Sequence, residues 1–212
     1  MNVTILTNAG SAIIHAIFYL KLEDIDVNNV IVKGEPKKYF LLEEYAATKK
    51  FKVDFVDDLN SGKTLKIINE INPDILVLMS SKIIKKEIIS VPKHTINVHA
   101  GFLPRYRGFD VRRWAILEGG ELGATAHYAS MDADLGDIII RRKLEILKGD
   151  TVSSISERNY YKNRFQVLSE AIQQIKTGTV IRKPQKPEDG KRFFWMHPKL
   201  RELVDKKLRL SS

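Results

Sequence analysis

Short apolar runs alternate with segments of helical periodicity through about the first half of the chain. The apolar runs are residues 2–6, 27–33, 51–56, 73–79 and 95–98. The segments between them place apolar residues at helical spacing over residues 12–22, 36–50, 62–71 and 83–89. Strands that alternate with helices form a parallel sheet with helices on both faces. The pattern therefore predicts an α/β fold with a Rossmann-like, mostly parallel sheet.

The second half of the chain predicts an antiparallel pair of strands, a long helix and a small C-terminal extension. The predicted elements are a helix at residues 111–118, strands at 124–130 and 138–144, and one long helix at 151–178. The two strands are expected to pair around the loop 132–137. We therefore predict one main domain, residues 1–180, followed by a short extension, residues 181–212.

Composition excludes several kinds of site. The chain has 212 residues, 43% of them hydrophobic, which suffices for a sizeable core, and it has no cysteine. Disulfides, zinc-thiolate sites and thiol nucleophiles are therefore excluded, and we predict no metal site. The N-terminal apolar run is too short for a signal peptide, and no run approaches the length of a membrane span. We expect a cytoplasmic protein with no membrane partner.

The formal net charge of +9 makes nucleic acid a candidate partner. The basic residues are dispersed in pairs between apolar and acidic residues, and no basic tail or base-stacking motif is present in the sequence. We therefore favour a solvated basic surface, or attraction of a small anionic substrate, over nucleic-acid binding.

Three polar residues suggest one catalytic site. Asn97 and His99 are two apart, so on a strand their side chains point the same way, toward the sheet edge where ligands bind in such folds. An amide and an imidazole can both hydrogen-bond a developing oxyanion, and a carboxylate at Asp134 could orient or charge the ring. This set suits acyl transfer without a covalent enzyme intermediate. Taken singly, the same residues could tie down backbone or cap a turn.

Two further places could hold an anion. Gly10 and Ser11 lie between the first predicted strand and helix, where a helix N-terminus can bind phosphate. Arg105 and Arg107 follow the predicted catalytic strand and suit bidentate phosphate contacts. The alternative for the two arginines is that they are solvated loop residues.

These motifs occur together in an order that resembles a known family. Four blocks carry the resemblance: Asn97-Val98-His99, Leu103-Pro104-Arg105-Tyr106-Arg107-Gly108, Gly123-Ala124-Thr125-Ala126-His127-Tyr128, and Asp134-Leu135-Gly136-Asp137-Ile138-Ile139. They are similar to blocks of the folate-dependent formyltransferases. That family includes glycinamide ribonucleotide formyltransferase, the catalytic domain of methionyl-tRNA formyltransferase and the sugar N-formyltransferases. The resemblance covers about residues 73–140 strongly and the rest weakly.

The resemblance implies a Rossmann-like catalytic domain that uses 10-formyltetrahydrofolate as formyl donor and an amine as acceptor. Asn97 and His99 would then polarise the formyl oxygen, and Asp134 would charge His99 and help to remove the amine proton. His127 matches a supporting histidine of the family. The donor is expected to contact two segments, and its predicted contacts are Leu78, Ser80, Ser81, Ile83, Ala129, Met131, Asp132 and Asp137.

The acceptor is expected to be a small, anionic amine such as an amino-sugar nucleotide. Glycinamide ribonucleotide is the alternative, although the glycine-serine-asparagine phosphate grip of its formyltransferases is replaced here by Asn8 to Ala12. We do not expect a tRNA acceptor, because about 70 residues follow Ile140, too few for a tRNA-binding barrel as well. Hydrolysis of the donor and a non-catalytic folate-binding module are competing functions. The apolar cluster Phe193–Met196 could pack on the core or form a homodimer interface.

Overall fold

The computed structural model describes residues 1–8 and 12–211. By its contacts the chain forms two compact units. The first unit comprises residues 1–97 and 128–131, and the second comprises residues 98–127 and 132–212. The predicted C-terminal extension, residues 181–212, belongs to the second unit.

The structure contains nine named strands and eight α-helices within the described residues. The strands are β1 (Val3–Thr7), β2 (Asn29–Lys33), β3 (Lys52–Val56), β4 (Ile75–Met79), β5 (His94–His99), β6 (Tyr106–Gly108), β7 (Leu122–Tyr128), β8 (Ile138–Leu144) and β9 (Lys191–Phe193). The helices are α1 (Ala12–Leu22), α2 (Phe40–Lys49), α3 (Gly62–Ile71), α4 (Lys86–Ile89), α5 (Val111–Glu118), α6 (Val152–Arg158), α7 (Arg164–Thr177) and α8 (Pro198–Ser211). None of the helices in the described ranges is both long and apolar enough to cross a bilayer.

The first unit is built on parallel strands in the order β3-β2-β1-β4-β5. Strand β1 lies in the middle, with Ile5 opposite Val30 on one side and Val77 on the other. The residues of β1 and β4 are all buried, as expected for a parallel sheet covered on both faces. The predicted strands of this half of the chain are therefore confirmed.

Strands β5 and β7 each contribute residues to both units. Within the first unit, the N–H of Ala129, just after β7, donates to the carbonyl of Thr95 in β5 at 2.8 Å. The sheet continues in the order β5-β7-β8, and β7 and β8 pair antiparallel with a bulge between Ala126 and His127. Five of the seven strands of this sheet pair in parallel, so the predicted Rossmann-like, mostly parallel α/β fold is confirmed.

A second, two-stranded sheet was not predicted. Strand β6 pairs in parallel with β9, with Arg107 opposite Arg192 and Gly108 opposite Phe193. Each strand has three residues, and the two are more than 80 residues apart in the chain. Neither run is long enough to show strand periodicity, so only the folded chain reveals the pairing.

Two predicted helices are interrupted. The segment 151–178 consists of α6, a π-helical turn at Asn159–Asn163 and α7, where one continuous helix was predicted. The segment 36–50 begins with a 3₁₀ turn at Pro36–Lys38 before α2. π-Helical turns occur mainly within α-helices and frequently at functional sites.

Candidate active site

The second unit brings His99 and Asp134 together. His99 is the last residue of β5 and its side chain is 8% exposed. Its Nδ1 lies 3.3 Å from Oδ2 of Asp134. Its Nε2 lies 2.8 Å from the carbonyl oxygen of Tyr106, which can only accept a hydrogen bond. Both ring nitrogens therefore face acceptors, and only the protonated imidazole can donate to both.

The loop that carries Asp134 is held in several places. Asp134 adopts the left-handed backbone conformation with φ of 56°, which aspartate and asparagine tolerate better than most residues. Its Oδ2 accepts the N–H of Gly108 at 2.9 Å, and its Oδ1 lies 3.5 Å from Nε2 of His127. The side-chain amide of Gln185 donates to the carbonyl of Asp134 at 3.1 Å. One carboxylate thus contacts two histidines and a backbone N–H.

Burial and charge act on this pair in opposite directions. Burial lowers the pKa of His99, while the carboxylate of Asp134 raises it, and the net pKa lies below the ordinary value. Burial alone would raise the pKa of Asp134, but His99, His127 and the N–H of Gly108 hold it far below its usual range. Asp134 is therefore ionised at neutral pH, beside an imidazole that gives up its proton readily.

Glycine is required where the backbone approaches His99. A Cβ added to Gly101 would lie 2.6 Å from Nε2 of His99 and 2.7 Å from the carbonyl oxygen of Tyr106. Both distances are shorter than van der Waals contact. The absence of a side chain at Gly101 therefore allows the His99 ring to contact the carbonyl of Tyr106. A larger residue at this position would displace either the ring or the carbonyl.

The π-helical turn holds the end of the strand that carries His99. The side-chain amide of Asn159 donates to the carbonyls of Ala100 and Gly123, each at 3.0 Å. The guanidinium of Arg164 donates to the carbonyl of Val98 from Nε at 3.1 Å and from Nη2 at 2.8 Å. These residues were missed from the sequence, because their roles depend on a π turn inside a segment that predicts an ordinary helix.

Comparison with known proteins identifies the family. The family model described as "Formyl transferase" matches residues 1–172. The chain belongs to the formyl transferase family. This formyl transferase chain is 33% identical to the methionyl-tRNA formyltransferase of Caldanaerobacter subterraneus over 134 residues, which cover 62% of this chain and 43% of that protein. It spans about half the length of the curated relatives it matches.

Solved structures of formyltransferases have the same fold. The glycinamide ribonucleotide transformylase 1 of Symbiobacterium toebii superposes with a TM-score of 0.71 at 18% identity, covering 88% of this chain and 94% of that one. The formyltransferase PseJ of Anoxybacillus kamchatkensis is 26% identical with a TM-score of 0.60, covering 78% of this chain and 85% of that one. That structure is described as a complex with UDP-4,6-dideoxy-4-formamido-L-AltNAc and tetrahydrofolate.

The other predicted catalytic residue of this formyl transferase chain, Asn97, lies on β5 two residues before His99 and opposite Leu78 of β4. Leu78 is buried at the end of β4, and Ala129 packs against the same apolar cluster. The other predicted donor contacts of the first unit are half-buried or exposed: Ser80, Ser81, Ile83 and Met131. Ile83 and Met131 leave about half of their apolar surface in solvent, at 51% and 49% exposure. A flat heterocycle could cover such surface.

The remaining predicted donor contacts lie in the loop after β7. Asp132 is exposed and Asp137 is half-buried. The carbonyl of Asp132 accepts the N–H of Leu135 at 3.3 Å, in the turn that leads through Asp134. Among the described residues, no group of three or more histidine, aspartate and glutamate side chains is arranged to hold a metal ion.

The predicted acceptor residues differ from one another in environment. The side chain of Arg105 is 60% exposed, and its Nη2 lies 3.8 Å from Glu118. Arg107 is 8% exposed, and its Nη2 donates to the carbonyls of Pro187 and Gly190 at 2.8 and 2.9 Å. Arg107 therefore contacts the C-terminal segment, and its role in acceptor binding stays a prediction. Gly10 and Ser11 lie outside the described residues.

Proposed function

We propose that this chain transfers a formyl group from 10-formyltetrahydrofolate to the amine of a small anionic acceptor, such as an amino-sugar nucleotide. The observation that carries the proposal is the buried pair of His99 and Asp134 at the end of β5 in a formyl transferase chain. The tetrahydrofolate named with PseJ supports the donor. The ribonucleotide and the UDP-sugar named with the structural relatives are both phosphorylated small molecules, which supports the acceptor class.

In the proposed reaction the acceptor nitrogen attacks the formyl carbon, and the new C–N bond forms before the bond to N10 of the folate breaks. The formyl oxygen becomes an oxyanion, which Asn97 and an N–H of His99 stabilise as hydrogen-bond donors, the latter in place of its contact with the carbonyl of Tyr106. The ionised carboxylate of Asp134 stabilises the positive charge that develops on His99 as the oxyanion forms, and accepts, through water, the proton that the amine loses. The same proton, delivered to N10 as the bond between the formyl carbon and N10 breaks, completes the release of tetrahydrofolate.

Tetrahydrofolate release from the donor tests the proposal when it is measured with and without added amine. The panel consists of amino-sugar nucleotides, glycinamide ribonucleotide and methionyl-tRNA, the last because it is named with the curated relatives. We expect release to depend on a phosphorylated small amine, and His99→Ala to lower turnover at least about a hundredfold. Efficient formylation of the tRNA alone would contradict the acceptor class. Release that needs no amine would indicate a hydrolase.

A further inference from the structure

Two arginines of the second unit, Arg112 and Arg164, are partly buried and hydrogen-bond to neutral oxygens. Arg112, on α5, donates from Nε to the hydroxyl oxygen of Ser156 at 3.2 Å. Arg164 donates to the carbonyl of Val98, directly before His99. Within residues 1–8 and 12–211, neither guanidinium forms an ion pair with a carboxylate. Their only hydrogen-bond partners there are neutral oxygens.

The helical segment places these two guanidinium groups near each other. Ser156, on α6, and Tyr160, on the π-helical turn, are four residues apart, so their side chains lie on neighbouring parts of one helical segment. Arg112 contacts the first of them, and the guanidinium carbon of Arg164 lies 4.9 Å from the ring centre of the second. The two cations also repel each other, since burial and then the charge of Arg164 lower the pKa of Arg112.

Other arginines of this unit are neutralised by acids. Arg113 and Arg201 both contact Asp110, at 3.5 and 2.8 Å, and Arg158 pairs with Asp150. Asp110 also accepts the N–H of Met196 at 2.9 Å, so its oxygens bind other groups. Burial, Arg164 and Arg113 lower the pKa of Arg112, and the charge of Asp110 raises it by less. Two partly buried cations that no direct ion pair neutralises repel each other, and an anion between them would reduce that cost.

We propose that Arg112 and Arg164 form a subsite for the phosphate group of the acceptor. This inference rests on the proposed function and names the part of the acceptor that the site recognises. Arginine binds phosphate with two parallel N–H groups, and one phosphate can accept hydrogen bonds from two guanidinium groups at once. Arg164 also donates hydrogen bonds to the carbonyl of Val98, the residue before His99. An anion bound to Arg164 would therefore hold the acceptor at a fixed position relative to β5.

Pyrophosphate binding, measured by titration calorimetry on the protein without donor or acceptor, tests the subsite directly. We expect Arg112→Gln to weaken pyrophosphate binding at least tenfold. Arg113→Gln is the matched control, because Arg113 is the next residue on α5 and its charge is paired with Asp110. It should bind within twofold of the wild type. Equal weakening by both substitutions, or no pyrophosphate binding by the wild type at millimolar concentration, would overturn the proposal.

A second titration identifies the source of the anion, since the glutamate of the folate donor also carries carboxylates. We expect Arg112→Gln to bind 5-formyltetrahydrofolate, a stable analogue of the donor, within twofold of the wild type. A tenfold loss would assign the subsite to the donor and overturn its assignment to the acceptor. If Arg112→Gln does not fold, Arg112→Lys keeps the charge without the planar fork and should weaken pyrophosphate at least threefold. Unchanged affinity would count against the proposal.

These titrations do not depend on turnover. If no amine of the panel is formylated while pyrophosphate binds and requires Arg112, the anion subsite is supported and the proposed reaction fails. If a phosphorylated amine is formylated with an unchanged KM in Arg112→Gln, the reaction is supported and the subsite is contradicted.

Discussion

Asp134→Asn separates the charge of the central carboxylate from its shape. Asparagine tolerates the left-handed backbone at this position, and its amide oxygen can still accept the N–H of Gly108. What is lost is the charge, 3.3 Å from Nδ1 of His99. At an effective dielectric constant of about 20, a pair of full charges at this distance interacts by about 5 kcal/mol.

If about 3 kcal/mol of this interaction is made in the transition state, turnover falls about a hundredfold, which is the minimum we expect for Asp134→Asn. The measurement is the rate of tetrahydrofolate release with whichever amine the panel identifies, at saturating donor. Asp205→Asn, which removes an exposed carboxylate from α8, is the control and should leave turnover unchanged. Turnover within threefold of the wild type in a folded Asp134→Asn protein would refute the catalytic role of the charge.

The same substitution has two consequences for pH dependence. Asp134 raises the pKa of His99, so its replacement should lower that pKa further below the ordinary value of about 6.5, as an NMR titration of the ring would measure. The lowered pKa of Asp134 stabilises the folded state above about pH 4, and this contribution is lost as pH falls toward the folded-state pKa. The difference in unfolding free energy between the wild type and Asp134→Asn should therefore shrink below pH 4.

Three further substitutions test the scaffold by urea unfolding. Gly108→Ala places a Cβ 2.2 Å from the carbonyl oxygen of Phe193 at φ of 92°. We expect the free energy of unfolding to fall by about 2–4 kcal/mol. A fall below about 1 kcal/mol would contradict the close approach of β6 and β9. Asp110→Ala leaves Arg201 unpaired and should lower the free energy of unfolding by about 3 kcal/mol, and Asp110→Asn should lower it by less. Equal unfolding free energies of the two variants would argue against the ion pair. Ser61→Ala removes the N-cap of α3 and should cost about 1 kcal/mol, whereas an unchanged midpoint would show that the cap contributes nothing.

The regular elements of the sheet were predictable because their signals are local. Strand β4 is an uninterrupted apolar run, and α3 begins at a serine cap and ends at Asn72 in the left-handed conformation. Each of these features is contained in fewer than about 15 neighbouring residues, the range over which periodicity and capping act. The parallel arrangement then follows from the alternation of the elements.

The pairing of His99 with Asp134 was predicted from residue type and loop position, but the groups that hold the pair were not. The N–H of Gly108 reaches Asp134 because β6 pairs with β9, and Arg164 reaches Val98 because of the π turn. Both depend on contacts between residues far apart in the chain. No local pattern distinguishes such a backbone N–H, or such an arginine, from its neighbours.

Arg105 and Arg107 illustrate the same limit. The two residues have the same chemistry in one short motif, yet one is mostly exposed and the other is buried. The difference is made by the carbonyls of Pro187 and Gly190, which accept hydrogen bonds from Arg107 and lie 80 and 83 residues further along the chain. Sequence reasoning could place both arginines near the catalytic strand, but it had no means to separate them.

The C-terminal segment supports the active site although no catalytic residue was predicted in it. A Cβ at Gly190 would lie 1.9 Å from the carbonyl oxygen of Pro104, so the segment approaches the loop after β5 as closely as backbone allows. Strand β9 then pairs with β6, whose Tyr106 carbonyl faces His99 and whose Gly108 N–H binds Asp134. A displacement of β9 would therefore move an acceptor of His99 and a donor to Asp134 together, and would change the proton equilibrium of the pair without touching either side chain.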